Sequence, residues 1–391
     1  MQQELINRNE DLKRLRDEGY EMEVRGGYLL IHHVPYLNAE KNMCYGTLVS
    51  TLNLNNMTVG KPDTHVIHFI GSDPCGIDGS PIKAIQLSSQ DIHLGEMIVN
   101  RSFSNRPPGD YPNYYEKIKR YVDIISAPAK SLDPSVTEKT FKPVIDTGYE
   151  TVFNYVDTNS SRASIGNINS KLKDQKIAIV GLGGTGSYIL DLVAKTPVRE
   201  IHLFDGDDFD QHNAFRAPGG ASIEALEKKW KKTDYLASIY SNMHKHIVPR
   251  TIFIDETNID LLENMTFVFL SIDKNSIRKV ISDFLINAGI PFIDVGLGVH
   301  EVDGKLGGLV RTTIVTKEKT NHVSTTIPME DSKVDDAYAS NIQIADLNAL
   351  NACFAVIRWK QFLGFYTDLG HEFNSVFSID TTVINHSRDE T

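Results

Sequence analysis

The spacing of apolar and polar residues changes along the chain. From about residue 150, short apolar runs alternate with segments of helical periodicity. This order predicts an α/β domain whose mainly parallel sheet is covered by helices on both faces. The predicted strands are KIAIV, EIHLFD, RTIFI, TFVFLSID and PFIDVG. The predicted helices begin near Gly184, Glu224, Asn258 and Lys274.

The pattern after PFIDVG differs from the pattern before it. In LGVHEVDGKLGGLVRTTIV, two alternating runs flank Asp303-Gly304, which is typical of a hairpin turn. The parallel sheet is therefore expected to continue into antiparallel strands. A polar loop, TKEKTNHVSTTIPMEDSKVDDAY, follows, and the spacing then predicts a long helix from about Gln343 to Phe362.

Residues 1–145 predict a smaller α+β domain. A polar opening helix carries Leu5, Leu12 and Leu15 on one side, and β-rich runs such as YLLIHHV, YGTLVSTLNL and THVIHFIG follow it. The stretch ISAPAKSLDPSV, residues 125–136, reads as a linker near the domain boundary. We therefore expect an N-terminal accessory domain over 1–145, whose function no motif reveals, and a second domain over 150–391.

Composition excludes several classes of protein. The length of 391 residues suits two domains, and the net charge of −11 argues against nucleic-acid binding. No apolar run approaches the roughly 18 residues that span a membrane, so no membrane partner is expected. The polar N-terminus does not resemble a secretory signal, and the three cysteines form no close pair. These features favour a cytoplasmic protein.

A glycine-rich turn follows the first strand of the second domain. Gly181, Gly183 and Gly186 fit the spacing G-x-G-x-x-G between a strand and a helix, as in a Rossmann-like nucleotide site. Asp205 ends the next strand, where a carboxylate is able to bind a ribose. These features alone fit both a dinucleotide-dependent oxidoreductase and an ATP-using enzyme.

The residues after the next strands favour ATP. Asn213 and Arg216 follow the strand that ends at Asp205, and Lys232 lies on the next helix. Arginine and lysine suit the charge of a triphosphate better than that of a dinucleotide, whose pyrophosphate is usually bound by backbone. Asp273 ends the strand TFVFLSID, where it either holds Mg²⁺ or caps the helix that follows. Arg216 and Lys232, taken singly, also suit a solvated surface.

Five separated elements of the chain resemble the ThiF and MoeB type of adenylating enzyme, in the superfamily that includes the ubiquitin-activating enzymes. They occur in the family's order over about residues 160–365. They are GLGGTGS at 181–187, FDGDD at 204–208, HNAFR at 212–216, the lysine in KKWKKTDYLASIYSNMH, and SID at 271–273.

The resemblance implies a reaction and a set of site residues. The reaction is transfer of AMP from ATP·Mg²⁺ to the C-terminal carboxylate of a ubiquitin-like β-grasp protein, with release of pyrophosphate. A homodimer is also implied. The implied roles are Asp205 for the ribose, Asn213 and Arg216 for the β- and γ-phosphates, Lys232 rather than Lys231 for the α-phosphate, Asp273 for Mg²⁺, Gly184 and Asp207 as further nucleotide contacts, and Arg162 for the partner subunit's triphosphate.

The chain departs from this family in its cysteines. It lacks the two CxxC pairs that hold zinc in many relatives, and residues 316–340 contain no cysteine. Cys353 falls in the predicted long helix, where a packing role is expected. Cys75, in the loop SDPCGIDG, is then the candidate for a thioester step and transfer to a conjugating enzyme, and we expect it to be exposed. His65 and His68 precede it, but their spacing on a strand puts them on opposite faces, which disfavours a shared metal.

Two rival functions remain. One is an NAD-dependent oxidoreductase, for which Arg216, Lys232 and Asp273 are not required. The other is a non-catalytic partner subunit with the same fold, against which the complete set of ATP-binding residues argues.

Overall fold

The structure, a computed structural model, describes residues 2–55, 58–94, 97–142, 151–155, 157, 159–160, 163, 165–330 and 342–388. The chain divides into two compact units. The first comprises Met1–Gly148 and Tyr155–Ala163, and the second comprises Tyr149–Asn154 and Ser164–Thr391.

The first unit is built on an antiparallel sheet of order β1-β2-β3-β6-β10-β7. The predicted opening helix is divided at Asn9, and Leu12 and Leu15 are fully buried as the spacing predicts. The elements are α1 (Gln2–Arg8), α2 (Glu10–Asp17), β1 (Met22–Arg25), β2 (Tyr28–Leu37), β3 (Met43–Thr51), β4 (Leu54–Asn55), β5 (Thr58–Val59), β6 (Val66–Ile70), β7 (Gln86–Ser88), β8 (Ile92–Leu94), β9 (Met97–Val99), β10 (Arg101–Ser104) and α3 (Tyr114–Leu132).

The linker predicted over residues 125–136 is wrong for residues 125–132, which belong to α3. Tyr121, Ile125 and Ala129 are fully buried and lie one turn apart on one face of this helix. Their apolar spacing is masked in the sequence by the small and polar residues between them. Pro128 is accommodated within the helix, although its ring nitrogen cannot donate a hydrogen bond.

The second unit contains an eight-stranded sheet of order β13-β12-β11-β14-β15-β16-β17-β18. Its elements are α4 (Gly166–Asn169), a 3₁₀ turn (Ser170–Leu172), β11 (Lys176–Val180), α5 (Gly184–Val193), β12 (Glu200–Phe204), α6 (Gln211–Ala214), α7 (Ile223–Glu227), α8 (Lys232–Tyr240), β13 (Ile247–Arg250), a 3₁₀ turn (Ile259–Leu262), β14 (Phe267–Leu270), α9 (Asn275–Ala288), β15 (Phe292–Val302), β16 (Lys305–Val315), α10 (Val323–Thr326), α11 (Ala345–Phe362), β17 (Glu372–Ser378) and β18 (Ile384–Arg388).

The predicted fold class is confirmed. Strands β11 to β15 pair in parallel, and β15 to β18 pair antiparallel. The hairpin between β15 and β16 turns at Asp303 and Gly304, both with positive φ, as a two-residue turn of this kind requires. The long helix α11 begins two residues after the predicted position.

One predicted strand is misplaced. The run RTIFI is not a strand beyond Arg250, because the edge strand β13 covers Ile247–Arg250 and its Ile247 lies opposite Ile201 of β12. Ile247 is buried in the core, which sets this register. Phe253 lies outside the sheet, and its ring covers the position of Gly206.

The central strand β11 shows why the second unit needs helices on both faces of its sheet. Ile177 and Ile179 belong to one apolar cluster with α5 and α11, whereas Ala178 and Val180 belong to another with α9. Successive residues of a strand point to opposite faces, so a continuous apolar run is buried only when both faces are covered. Trp359 of α11 is fully buried.

A buried histidine lies close to the edge of this sheet. His244 is fully buried, and its Nε2 lies 2.9 Å from the carbonyl oxygen of Val198. The backbone N–H of His246 donates to its Nδ1 over 3.2 Å. The ring of Phe153 packs edge-on against it at 5.7 Å. Burial lowers the pKa of His244 from 6.5 to about 4.

This depressed pKa predicts a pH-dependent loss of stability. In the unfolded chain His244 is protonated below its ordinary pKa of 6.5, whereas in the folded chain it stays neutral until the pH falls to about 4. The free energy of unfolding should therefore fall by up to about 1.4 kcal/mol per pH unit in that window, and this term should level off below it. Chemical denaturation of wild type and His244→Gln across pH 4–7 measures it. Equal pH slopes for the two proteins would contradict the assignment.

Candidate functional site

The glycine turn lies between β11 and α5, and two of its glycines are required by close packing. Gly181 has φ +88°, and a Cβ there would lie 2.2 Å from the carbonyl oxygen of Ser271. A Cβ at Gly186 would lie 1.9 Å from the carbonyl oxygen of Gly181. The first turn of α5 is thus pressed against the strand ends, and any larger residue would displace backbone.

Gly183 and Gly184 have different surroundings. A Cβ at Gly184 would collide with the Asn348 side chain of α11. Gly183, the N-cap of α5, lines a cavity, and among the described residues a Cβ there would meet only the Gln343 side chain, at 3.9 Å. Gly183 has no side chain that could cap the helix, and the Gln343 side chain instead accepts a hydrogen bond from the N–H of Gly184 over 3.3 Å. The N-terminus of α5 thus faces the cavity beside Gln343, and a helix N-terminus suits an anion.

Asp205 holds the turn in place. One oxygen of its buried carboxylate accepts a hydrogen bond from the N–H of Leu182 over 2.7 Å, and the other accepts from the N–H of Asp207 over 2.9 Å. Both oxygens thus accept hydrogen bonds from backbone N–H groups. This environment differs from the one expected for a carboxylate that binds a ribose. The Asp207 carboxylate also lines the cavity, and its side chain is 56% exposed. Of these two carboxylates, Asp207 is the more accessible to a ribose.

Lys232, at the start of α8, faces the same cavity. Its side chain is 8% exposed, and its ammonium lies 2.6 Å from Asp207 and 3.8 Å from Asp205. The neighbouring Lys231 instead pairs with Asp208 over 2.7 Å and is 41% exposed. Lys232, rather than Lys231, therefore lies among the cavity residues.

Arg216 and Asn213 differ in their surroundings, because only Arg216 lines the cavity. Arg216 lines the cavity, and its Nε is buried without a hydrogen-bond partner among the described residues. Asn213 is buried, and its side-chain oxygen accepts from the N–H of Asp210 over 2.8 Å. The Asp210 side chain accepts in turn from the N–H of Asn213, which completes a capping box at α6. In this structure Asn213 shapes the loop, and Arg216 reaches the cavity.

Asp273 lies three residues beyond the end of β14, is exposed, and lines the cavity. The helix that follows, α9, has Lys274 as its N-cap and no side-chain cap. The alternative role of Asp273 as a helix cap is therefore not observed. A carboxylate at the C-terminal edge of a parallel strand is suited to bind Mg²⁺ together with a phosphate and water.

A single cavity of about 1220 Å³ contains these groups. It lies where β11, β12 and β14 end, which is the usual ligand crevice of an open α/β sheet. Small-molecule pockets occupy roughly 300–1,000 Å³, so this volume leaves room beside one nucleotide. The polar residues and glycines named above that line it are Gly181, Gly183, Asp205, Asp207, Arg216, Lys232, Ser271, Asp273 and Gln343.

Two arginines that line the cavity belong to a charged cluster that sequence reasoning missed. Asp294 of β15 is fully buried between Arg278 of α9 and Arg311 of β16. Its carboxylate lies 2.9 Å from Nε of Arg278 and 2.5 Å from a terminal nitrogen of Arg311. The signal in the sequence is an aspartate inside the apolar strand PFIDVG, because a buried carboxylate needs cationic partners.

The expectations for the cysteines require correction. Cys75 is fully buried instead of exposed, and its backbone N–H donates to the carbonyl of Leu37 over 2.8 Å. Burial, with Asp73 nearby, raises the pKa of the thiol. His68 forms a hydrogen bond with Ser102, and burial lowers the pKa of this histidine. These surroundings oppose a thiolate.

Cys353 and Arg162 are the remaining residues that the sequence singles out. Cys353 lies on α11, as predicted, but it is only partly buried and is not a full core residue. Arg162 lies outside the described residues. Within the described ranges, no three histidine, cysteine, aspartate or glutamate side chains gather into a metal site. A magnesium ion here would thus depend on Asp273 together with phosphate oxygens and water, which is its usual environment.

The fold and the cavity define an α/β protein with a glycine turn of the nucleotide-binding type. The sequence model of the ThiF family matches residues 159–374, more than half of the chain, and the chain belongs to this family. The predicted family is thereby confirmed. Residues 10–158 match a domain of unknown function, DUF6791.

Curated relatives share part of this region. The chain is 27% identical over 133 residues to the adenylyltransferase and sulfurtransferase UBA4 of Saccharomyces cerevisiae strain S288c, covering 33% of this chain and 30% of that protein. It is 25% identical over 138 residues to the SUMO-activating enzyme subunit uba-2 of Caenorhabditis elegans, covering 33% and 22%. The matches thus span less than a third of either relative.

Solved structures also align with the chain. E. coli MccB with ATP aligns with a TM-score of 0.46 at 17% identity, over 56% of this chain and 66% of that chain. SeMet PaaA aligns with a TM-score of 0.43 at 18% identity, over 59% and 80%. Separately, no helix among the described residues is both long and apolar enough to cross a membrane.

The different surroundings of the glycines give a test of the turn. Gly186→Ala should lower the free energy of unfolding by about 2–4 kcal/mol, because its methyl group would overlap backbone. Gly183→Ala should change it by less than about 0.5 kcal/mol, because that position is open and has φ −70°. Urea denaturation of both variants measures this. Equal losses of stability would contradict the packing described here.

Proposed function

We propose that the protein uses ATP to adenylylate the carboxylate of an acyl substrate. The observation that carries this proposal is the Arg216 side chain, which lines the cavity with a buried Nε that has no partner in the described chain. An unpaired buried donor is costly, and a bound phosphate oxygen would satisfy it. Lys232 and the N-terminus of α5 at Gly183 line the same cavity and add positive potential to it.

The proposed chemistry requires positioning and charge neutralisation. A carboxylate oxygen of the acyl substrate attacks the α-phosphorus of ATP, the new O–P bond forms, and the bond to pyrophosphate breaks. The carboxylate supplies the electron pair and pyrophosphate leaves as an anion, so no proton need be transferred. Arg216 and Lys232 would neutralise phosphate charge, and Asp207 would bind the ribose. Mg²⁺, held by Asp273, would supply further neutralisation of the phosphates.

The nature of the acyl substrate is a finer proposal. A relative is named a SUMO-activating subunit and another an adenylyltransferase and sulfurtransferase, which supports the C-terminal carboxylate of a ubiquitin-like protein. The homodimer and transfer to a conjugating enzyme are proposals that rest on the family resemblance. The burial of Cys75 disfavours this residue as the thioester nucleophile. An NAD-dependent oxidoreductase remains the rival function, and the following experiment distinguishes it from adenylylation.

The reaction predicts exchange of labelled pyrophosphate into ATP in the presence of a ubiquitin-like protein. A panel of purified ubiquitin-like proteins with free C-terminal carboxylates serves as substrate. Arg216→Ala and Asp273→Ala should each lower the exchange rate by about 10²-fold or more. The first substitution removes a cation from the phosphates, and the second removes the carboxylate that would hold Mg²⁺ against them. The matched controls Arg199→Ala and Asp283→Asn change exposed charges outside the cavity and should leave the rate unchanged.

Exchange with any member of the panel, abolished by the two cavity substitutions alone, supports the proposal. Absence of exchange with the whole panel, combined with tight binding of NAD⁺, would overturn it in favour of the oxidoreductase.

A further inference from the structure

The cavity extends from the glycine turn to the hairpin formed by β15 and β16. Arg311 of β16 lies there, directly opposite Gly296 of β15 in the antiparallel register. In the sheet order, Lys232 and Asp207 follow β12, the glycine turn follows β11, and Asp273 follows β14. Arg311 lies on β16, two strands beyond β14. With about 4.8 Å between neighbouring strands, roughly 10 Å separates these two strands.

The Arg311 side chain is fixed in position by its neighbours. One terminal nitrogen donates to Asp294, and the other donates to the Thr313 hydroxyl over 2.7 Å. Arg278 shares the same Asp294 carboxylate, so two cations surround one anion and the cluster carries a net positive charge. A guanidinium held in this way loses little further entropy when it binds a ligand.

Gly296 allows the guanidinium to lie against the strand backbone. A Cβ at Gly296 would be 2.9 Å from a terminal nitrogen and 3.2 Å from Nε of Arg311. The Arg311 side chain is only 14% exposed, yet it lines the cavity. Apolar side chains of β15, β16 and β17 also line the cavity, namely Val295, Leu297, Val299, Leu309 and Val376. A fixed cation beside apolar walls suits an anionic group on an otherwise uncharged chain.

We propose that Arg311 binds the carboxylate of the acyl substrate and directs one of its oxygens at the α-phosphorus of ATP. This inference rests on the proposed function. Guanidinium and carboxylate form charge-assisted hydrogen bonds of matching geometry. Arg311 holds one carboxylate oxygen while the other attacks, and in the product it donates to the acyl carbonyl oxygen of the adenylate. Arg216, which follows α6, and Lys232, at the start of α8, remain for the phosphates.

Two probes separate the nucleotide part of the cavity from the acyl part. The first, 5′-O-sulfamoyladenosine, occupies only the nucleotide part. The second, 5′-O-[N-(acetylglycyl)sulfamoyl]adenosine, adds an acyl carbonyl in the position of the adenylate. Isothermal titration of the full-length protein measures the affinity for both. In wild type, the acyl probe should bind at least about 10-fold tighter than the first.

Substitution of Arg311 should remove this difference alone. Arg311→Gln should abolish the gain from the acyl group while the affinity for sulfamoyladenosine stays within about twofold of wild type. Arg311→Lys keeps the charge, and it should retain only part of the gain because it lacks the fork of donors. Arg358→Gln is the matched control, since Arg358 pairs with Asp368 over 2.9 Å, is 16% exposed, and does not line the cavity.

The outcomes distinguish this inference from the proposal on which it rests. If neither probe binds wild type, the proposed nucleotide site is wrong. If sulfamoyladenosine binds but the acyl group adds no affinity, or if Arg311→Gln keeps the gain, the role of Arg311 is overturned. Should Arg311→Gln fail to fold by circular dichroism, Arg311→Lys decides, and full retention of the gain in that variant would overturn the role.

Discussion

The two hydrogen bonds of the Asp205 carboxylate are the constraint on which the site depends. They join the turn after β11, through Leu182, to the segment after β12, through Asp207. A buried carboxylate is stable only when its oxygens accept hydrogen bonds, so the two loops cannot separate without a large cost. The glycine turn, Asp207 and the nearby Lys232 consequently keep one arrangement before any ligand binds.

The remaining charges of the cavity are arranged around this fixed turn. Lys232 is held by Asp207, and Arg311 is held by Asp294 and Thr313, so both cations are oriented by protein partners. Arg216 differs, because its Nε has no such partner within the described part of the chain. Preorganised cations stabilise developing negative charge without reorganisation at the moment of reaction. In the proposed function, a phosphate oxygen of the nucleotide would supply the partner that the Nε of Arg216 lacks.

Local patterns in the sequence were sufficient for the fold and for one side of the cavity. The apolar runs and the glycine spacing predict β11, α5 and the strand that precedes Asp205, because each depends on residues close in sequence. The strand RTIFI was misplaced because burial of Ile247 at the sheet edge, rather than the apolar run, sets the register of β13. The exposure of Cys75 was misjudged because its burial depends on tertiary contacts. Arg311 and Asp294 lie 17 positions apart, and only the hairpin register and α9 bring them together with Arg278.

The account depends most on the proposal that the Arg216 guanidinium donates hydrogen bonds to the outer phosphates of ATP. A comparison of the affinities for ATP and AMP tests this proposal most directly. Isothermal titration should give an ATP affinity that falls at least about 10-fold in Arg216→Gln, since a charge-assisted hydrogen bond of this kind contributes about 1.5–3 kcal/mol. The affinity for AMP, which lacks those phosphates, should stay within about twofold of wild type. Equal losses for both nucleotides, or no binding of ATP to the wild-type protein, would contradict the account.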